Sequence, residues 1–266
     1  MKKLLLVLAL FTHQAWGAIA FVSCATNSAA SGTTIVITAS PANGSTVIVG
    51  YGDGPGTTII STVTDNGSST YSVPAGAASS ANAPRSSGAT ALSVSGSPTS
   101  ITVTASGTIT NSRATACWWT GVSSIGNVGS STAVTTSTNS NIALTMQDAN
   151  NFNVCMMTIP AGATWTNNQG TMRSPATGVS QNRLGTADNT SASTGSLTCG
   201  ATLSASVGWQ ASAIELRSSA GGASCVHTLT TLGAGCALMQ PLDDRKYLAK
   251  FSKSIPLFRR QFHAQN

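Results

Sequence analysis

The groups in this chain that could do covalent or acid–base chemistry are few, and their spacing assembles none of the familiar machineries. Serine is plentiful, yet no Gly-x-Ser-x-Gly elbow surrounds any of it, so nothing presents a nucleophile on a strained strand-to-helix turn. A Ser/His/Asp triad would have to use His227, which falls in an apolar β-type stretch near Cys225 and reads as a structural residue. Glycoside hydrolysis needs two carboxylates flanking a cleft. Between Ala18 and Cys236 the acids are Asp53, Asp65, Asp148, Asp188 and Glu215. Asp65, in Asp65-Asn66-Gly67, reads as a turn residue, and Asp148, ahead of Asn150-Asn151, as loop chemistry. Gly52-Asp53-Gly54 lacks the alternating acidic oxygens of a calcium loop, and the same stretch holds no lysine for a Lys–Asn cross-link. The expectation is a protein without catalytic residues, metal or cofactor.

Recognition is the chemistry that remains. Trp118 and Trp119 are consecutive in a β-type run, and neighbouring strand residues point to opposite faces. One can fill a core. The other either meets solvent, where an indole face stacks on a sugar ring at low entropic cost, or is buried beneath a long loop such as 123–140. Trp165, beside Asn167-Asn168-Gln169, is the third candidate for ligand binding, and Trp209 reads as packing. The expected partner is an extracellular polysaccharide or cell-surface polymer.

Six cysteines, Cys24, Cys117, Cys155, Cys199, Cys225 and Cys236, form an even set, which suits disulfides in an oxidising compartment. Six allow 15 pairings. Cys225 and Cys236 are the expected pair, because Gly233-Ala234-Gly235 lets the chain return. Zinc is the competing use, but no Cys-x-x-Cys is present.

The N-terminus supplies the compartment. Lys2 and Lys3 precede an apolar run from Leu4 to Phe11, followed by small-residue exits at Ala15-Trp16-Gly17 and Ala18-Ile19-Ala20. That is the pattern of an export signal over residues 1–20, and the run is too short to span a bilayer. Phe21-Val22-Ser23-Cys24 also resembles a lipoprotein box, which would anchor the chain through Cys24. The expected location is extracellular.

Charge separates the body from its ends. From Ala18 to Cys236 five arginines balance five acids, while residues 237–266 carry six basic and two acidic residues. The pI near 9.2 therefore marks the termini, and no nucleic-acid surface follows from it. Tyr247, Leu248, Phe251 and Ile255 fall at helical spacing among the tail's basic residues. Three readings stay open for it: an anchor to anionic lipid or cell-wall polymer, a docking element for an assembly, or a poorly ordered end.

The elements that must position these residues are strands. Ser and Thr exceed a quarter of the chain, and β-branched residues recur in short runs. These are Thr33–Thr38, Thr46–Val49, Thr58–Thr64, Thr70–Val73, Leu92–Val94, Ile101–Thr104, Arg113–Val122, Asn141–Met146, Phe152–Ile159, Leu197–Ser206, Trp209–Leu216 and Val226–Leu232. Pro41-Ala42-Asn43-Gly44 between the first two predicts a hairpin. Short strands at 8–12-residue spacing predict an all-β, antiparallel two-sheet sandwich over residues 21–236, with a short helical or disordered tail.

Ile35–Thr38, Gly44–Gly50, Ser61–Asp65 closing on Tyr71, Thr120-Gly121-Val122, Asn150–Val154 and Trp209–Leu216 resemble a poorly characterised family of extracellular β-sandwich domains. Such domains occur in environmental bacteria and in phage structural proteins. The resemblance spans about Thr33 to Arg217 and implies a jelly-roll or immunoglobulin-like sandwich. It brings no catalytic residues with it. Members of that family carry an acidic-aromatic pair where this chain has Trp118-Trp119-Thr120. Two functions follow as expectations: a secreted, non-enzymatic surface or matrix module that binds polymer, or a structural building block of a virion or appendage.

Overall fold

A computed structural model of the chain describes residues 18–160, 162–175 and 183–218. Every regular element among them is a strand: β1 (Ala20–Ala29), β2 (Thr34–Thr38), β3 (Thr46–Asp53), β4 (Ile60–Asp65), β5 (Arg85–Ala91), β6 (Ser100–Ala105), β7 (Ser112–Thr120), β8 (Val122–Ser130), β9 (Thr135–Met146), β10 (Phe152–Ile159), β11 (Trp165–Gln169), β12 (Thr171–Pro175), β13 (Arg183–Thr190) and β14 (Gly195–Ser218). All pairings are antiparallel. The all-β antiparallel sandwich is the fold observed, with more layers than two sheets supply. The tail, His227 and the Cys225–Cys236 pair lie outside the described residues.

The strands stack as four layers. An outer sheet, β2-β6-β4, covers one face of β1-β7-β3-β5. Alternation explains it: Ile35, Ile37, Ile101 and Val103 point inward against Val47, Val49, Tyr51 and Trp118, while Thr34, Val36 and Thr38 face out. The opposite face of β1-β7-β3-β5 lies on the third layer, through Ile48, Cys117 and Trp119 against Val154, Met156 and Ile214. That layer and the fourth belong to one seven-stranded sheet bent along β14. The first half of β14 pairs β9 and β11, and its second half pairs β10 and β8. The two leaves close on Cys155, Met157 and Ala213 against Leu144, Ala201 and Leu203.

The two inner layers are covered on both faces, so their strands lose the in–out alternation of a half-exposed sheet. All eight residues of β3 are buried, as are eight of nine in β7. Glycine lets them approach. A Cβ on Gly50 would stand 2.6 Å from Met156 Cγ, and one on Gly88 2.6 Å from Met156 Cε.

Several connections differ from expectation. The Asn43-Gly44 turn joins β2 to β3, which lie in different sheets, and forms no hairpin. Leu92–Val94 is irregular, and Thr70–Val73 contributes one bridge, Ser72 to Thr90. The stretch 123–140, expected as loop, forms most of β8 and half of β9.

Two disulfides cross-link the described residues. Cys24–Cys117 joins register partners on β1 and β7. Cys155–Cys199 ties the third layer to the fourth.

Candidate functional site

Each carboxylate in the described residues already has a local task. Asp53, fully buried, accepts from the backbone N–H of Gly56 and Thr58 and from the Thr58 hydroxyl, which closes the loop after β3. Asp65 accepts from Gly67 N–H, Ser69 N–H and the Tyr71 hydroxyl. Burial, then the Asp65 charge and hydrogen bond, push the Tyr71 pKa above its ordinary value. Glu215, also fully buried, accepts from Asn127 N–H (2.9 Å), Gln147 N–H (2.8 Å) and Asn151 Nδ2 (2.6 Å). Three such donors fix this carboxylate in a structural role. Asp148 pairs with Arg217 at 2.7 Å. No three His, Cys, Asp or Glu side chains come together among the described residues.

Trp119 and Asp188 belong to a closed circuit between the second and third layers. The Trp119 indole N–H donates to Asp188 Oδ2 at 3.0 Å, and Arg173 Nε donates to the same oxygen at 2.9 Å. The Arg173 guanidinium stands 4.4 Å over the Phe21 ring, whose edge meets Trp119 at 5.7 Å between centroids. These contacts account for the residue type at 119, since only an indole fills the space and still supplies the N–H that a buried carboxylate needs.

The tryptophan expectations need correction here. Trp118 and Trp119 do point to opposite faces, but each face of β7 is covered by a sheet. Trp118 is 8% exposed in the first core and Trp119 fully buried in the second, so neither offers a ring to a sugar. The stretch 123–140, expected as a covering loop, is itself largely strand. Trp165 is half-buried, pairs with Leu203 in register and packs inward over Gly185, 3.2 Å from where a Cβ would stand. Its ring does not share a face with Asn168.

What remains exposed is an uncharged amide and hydroxyl face on the fourth layer. Inward positions of β14 hold Cys199, Ala201 and Leu203, which leaves Thr198, Thr202 and Ser204 outward. Thr202 is flanked in register by Thr166 on β11 and Asn139 on β9. Asn168 Nδ2 donates to Asn139 Oδ1 at 3.2 Å, and the Thr202 hydroxyl donates to the same oxygen at 3.4 Å. Between Gln169 and Asn141 lies Gly200, with no side chain and no room for one: a Cβ would stand 2.4 Å from Asn141 Cβ. Sequence reading found Asn168 as a neighbour of Trp165. It missed Asn139 and Thr202, because Thr135–Asn141 has no apolar residue to show its period.

The chain matches no family model, no curated protein and no solved structure.

Proposed function

We propose that this protein is an exported, non-enzymatic binding module that holds an extracellular polysaccharide on the outer face of its fourth layer. The observation behind the reading is the Asn168–Asn139–Thr202 cluster, a flat set of neutral donors and acceptors on a strand platform. Amides and hydroxyls on a rigid sheet match sugar hydroxyls, and the absence of charge suits a neutral polymer. The aromatic contribution expected from Trp118 and Trp119 forms no part of this site. The test is retention on insoluble neutral polysaccharides. Asn139→Ala/Asn168→Ala should lower retention at least tenfold with an unchanged thermal midpoint, and equal retention would remove the proposal.

Two disulfides within the described residues accord with an oxidising compartment. Of the two candidate export cleavage points, the one after Gly17 is favoured, because Ile19 is buried with Trp119 and Ala20 pairs with Thr120. Cleavage there also leaves Cys24 to its disulfide and away from a lipid anchor. N-terminal sequencing of secreted protein should read from Ala18; a lipidated Cys24 would refute this assignment. The basic tail, residues 237–266, is proposed to add contact with anionic lipid or polymer. Truncation after Cys236 should abolish vesicle binding.

A second reading, a building block of a larger assembly, draws support from the body's even balance of five arginines and five acids, since surfaces near zero net charge associate readily. Concentration-dependent sedimentation of the truncated chain would favour it.

A further inference from the structure

The outward face of the first layer repeats one residue type in two directions. The inward positions of β2, β6 and β4 fill the outer core, and alternation turns the positions between them to the outside. Those outward positions align in rows across the sheet. Thr34, Thr104 and Thr62 form one row, and Val36, Thr102 and Thr64 the next. Thr38 beside Ser100 begins a third. The members on β2 and β4 are exposed, and those on the middle strand β6 are half-buried. No charged and no aromatic residue stands in the three rows.

Threonine suits an exposed strand on propensity alone, but propensity does not set what its hydroxyls do. Other exposed polar side chains of this molecule latch to one another, as Asn168 does to Asn139 and Asn66 to Thr99. The hydroxyls of the three rows have no such partner among the described residues. Their spacing is set by the sheet. Strands lie about 4.8 Å apart, and alternate residues along a strand about 6.8 Å apart. β-Branching restricts χ1, so each threonine holds its hydroxyl and its methyl in nearly fixed places. A sheet of three strands accumulates its twist over only two steps. The face is therefore a small lattice of uncharged hydroxyls, each with a methyl beside it.

We propose that the outward face of β2, β6 and β4 binds ice. A lattice is recognised by a surface that repeats as it does, and the prism faces of hexagonal ice repeat their water oxygens in two directions at spacings close to both of those set by the strands. The threonine hydroxyls take the places of lattice waters, while the methyls, including those of Val36, order the water between the rows. Charge would work against this, because an ion keeps its own hydration shell, and the rows carry none. Other occupants fit less well. Small-molecule sites are concave, whereas this is the outer surface of a sheet. Protein interfaces are anchored by aromatic residues and Arg, which the rows lack. The face stands at the other end of the four-layer stack from the amide cluster proposed for polysaccharide, and either reading can fail without the other.

The experiment uses the full mature chain, mixed with a dye that does not adsorb, during slow growth of a polycrystalline ice shell. We expect the chain to be enriched in the melted shell at least tenfold over the dye, and to slow the recrystallisation of fine-grained ice. Thr102→Lys, at the centre of the rows, should abolish both effects with the circular dichroism unchanged. Thr64→Lys, on β4, gives a second disruption where the first does not fold. Asn139→Ala/Asn168→Ala, on the fourth layer, should leave ice uptake as it was. A chain that stays in the liquid with the dye overturns the proposal, and so does uptake undiminished in both lysine variants. Two findings would replace it, each in the absence of ice uptake. A dimer in sedimentation that Thr102→Lys dissociates assigns the face to a second copy of the chain. Retention on a crystalline polysaccharide, lost in the same variant, assigns it to a sugar lattice.

Discussion

The outer core between the first and second layers and the inner interface between the second and third are built from the two faces of the same strands, yet their chemistry differs. The outer core is aliphatic: Ile35, Ile37, Ile101, Val103, Val47 and Val49, with Trp118 at one end. Its main polar intrusion is the Tyr51 hydroxyl, held by Thr58 and Ser112. The inner interface mixes Met156 and Ile214 with glycines and with polar pairs across the gap. Thr115 meets Thr186 at 2.9 Å, and Ser86 donates to the Met156 carbonyl at 2.9 Å and meets Ser212 at 3.1 Å. Apolar area stabilises without direction. Buried polar pairs must be aligned to avoid a desolvation penalty, so the inner interface fixes the register of one pair of sheets on the other. The outer core needs only fill.

Trp118 and Trp119 report on the two regions from adjacent positions, and the largest expected effects lie there. Trp118→Ala and Trp119→Ala should each lose about 3–5 kcal/mol in denaturant unfolding. If either loses less than about 1 kcal/mol, that face of β7 is not a core. Next come the cross-links. Replacing Cys24 and Cys117 by Ser, or Cys155 and Cys199, should each cost about 2–4 kcal/mol, read as a lower midpoint without reductant than that of the unaltered chain. The phenylalanine variants then separate area from alignment. Trp119→Phe keeps a ring but takes one donor from buried Asp188 and should cost about 1–3 kcal/mol. Trp118→Phe, in the aliphatic core, should cost less, and equal losses would erase the distinction drawn here.

Alkaline titration tests the polar intrusion in the outer core. Burial raises the Tyr51 pKa, as it does that of Tyr71, which packs against the same core. A raised folded pKa means the folded state holds its proton after the unfolded chain, near pH 10, has begun to lose it. Stability should therefore be intact below about pH 10 and fall above it. Tyrosinate absorbance from these two residues should appear only with unfolding. The smallest effect belongs to the exposed face: Asn139→Ala and Asn168→Ala should each change stability by no more than about 0.5 kcal/mol.

The same contrast decides how much was legible in the sequence. β2, β6 and β10 are read nearly to the residue, because β-branched or apolar runs mark them. Six strands escaped notice: β1, β11 and β12, and the small, polar β5 (Arg-Ser-Ser-Gly-Ala-Thr-Ala), β8 (Val-Ser-Ser-Ile-Gly-Asn-Val-Gly-Ser) and β13 (Arg-Leu-Gly-Thr-Ala-Asp-Asn-Thr). β5 and β13 are small and polar because they lie where sheets approach closely on both sides, which removes both bulk and alternation. Parity correctly set the two tryptophans on opposite faces. Burying both takes a sheet on each face of β7, and that long-range fact has no local signature. The turn at Asp65-Asn66-Gly67 was legible as a turn, while the latch Asn66 makes to Thr99 and Ser100 was not.

Among the described residues there are eleven strand pairings, and only β12 with β13 joins strands consecutive in the chain. β1 finds its partner at β7, with Cys24 opposite Cys117 at a separation of 93 residues. β8 and β9 both wait for β14. Loop closure must therefore precede nearly every stabilising contact, which places the chain among slow folders. During synthesis β1 stays unpaired until β7 has emerged, and layers three and four cannot close before β14 is made. A chain with this topology leaves the ribosome as a thread.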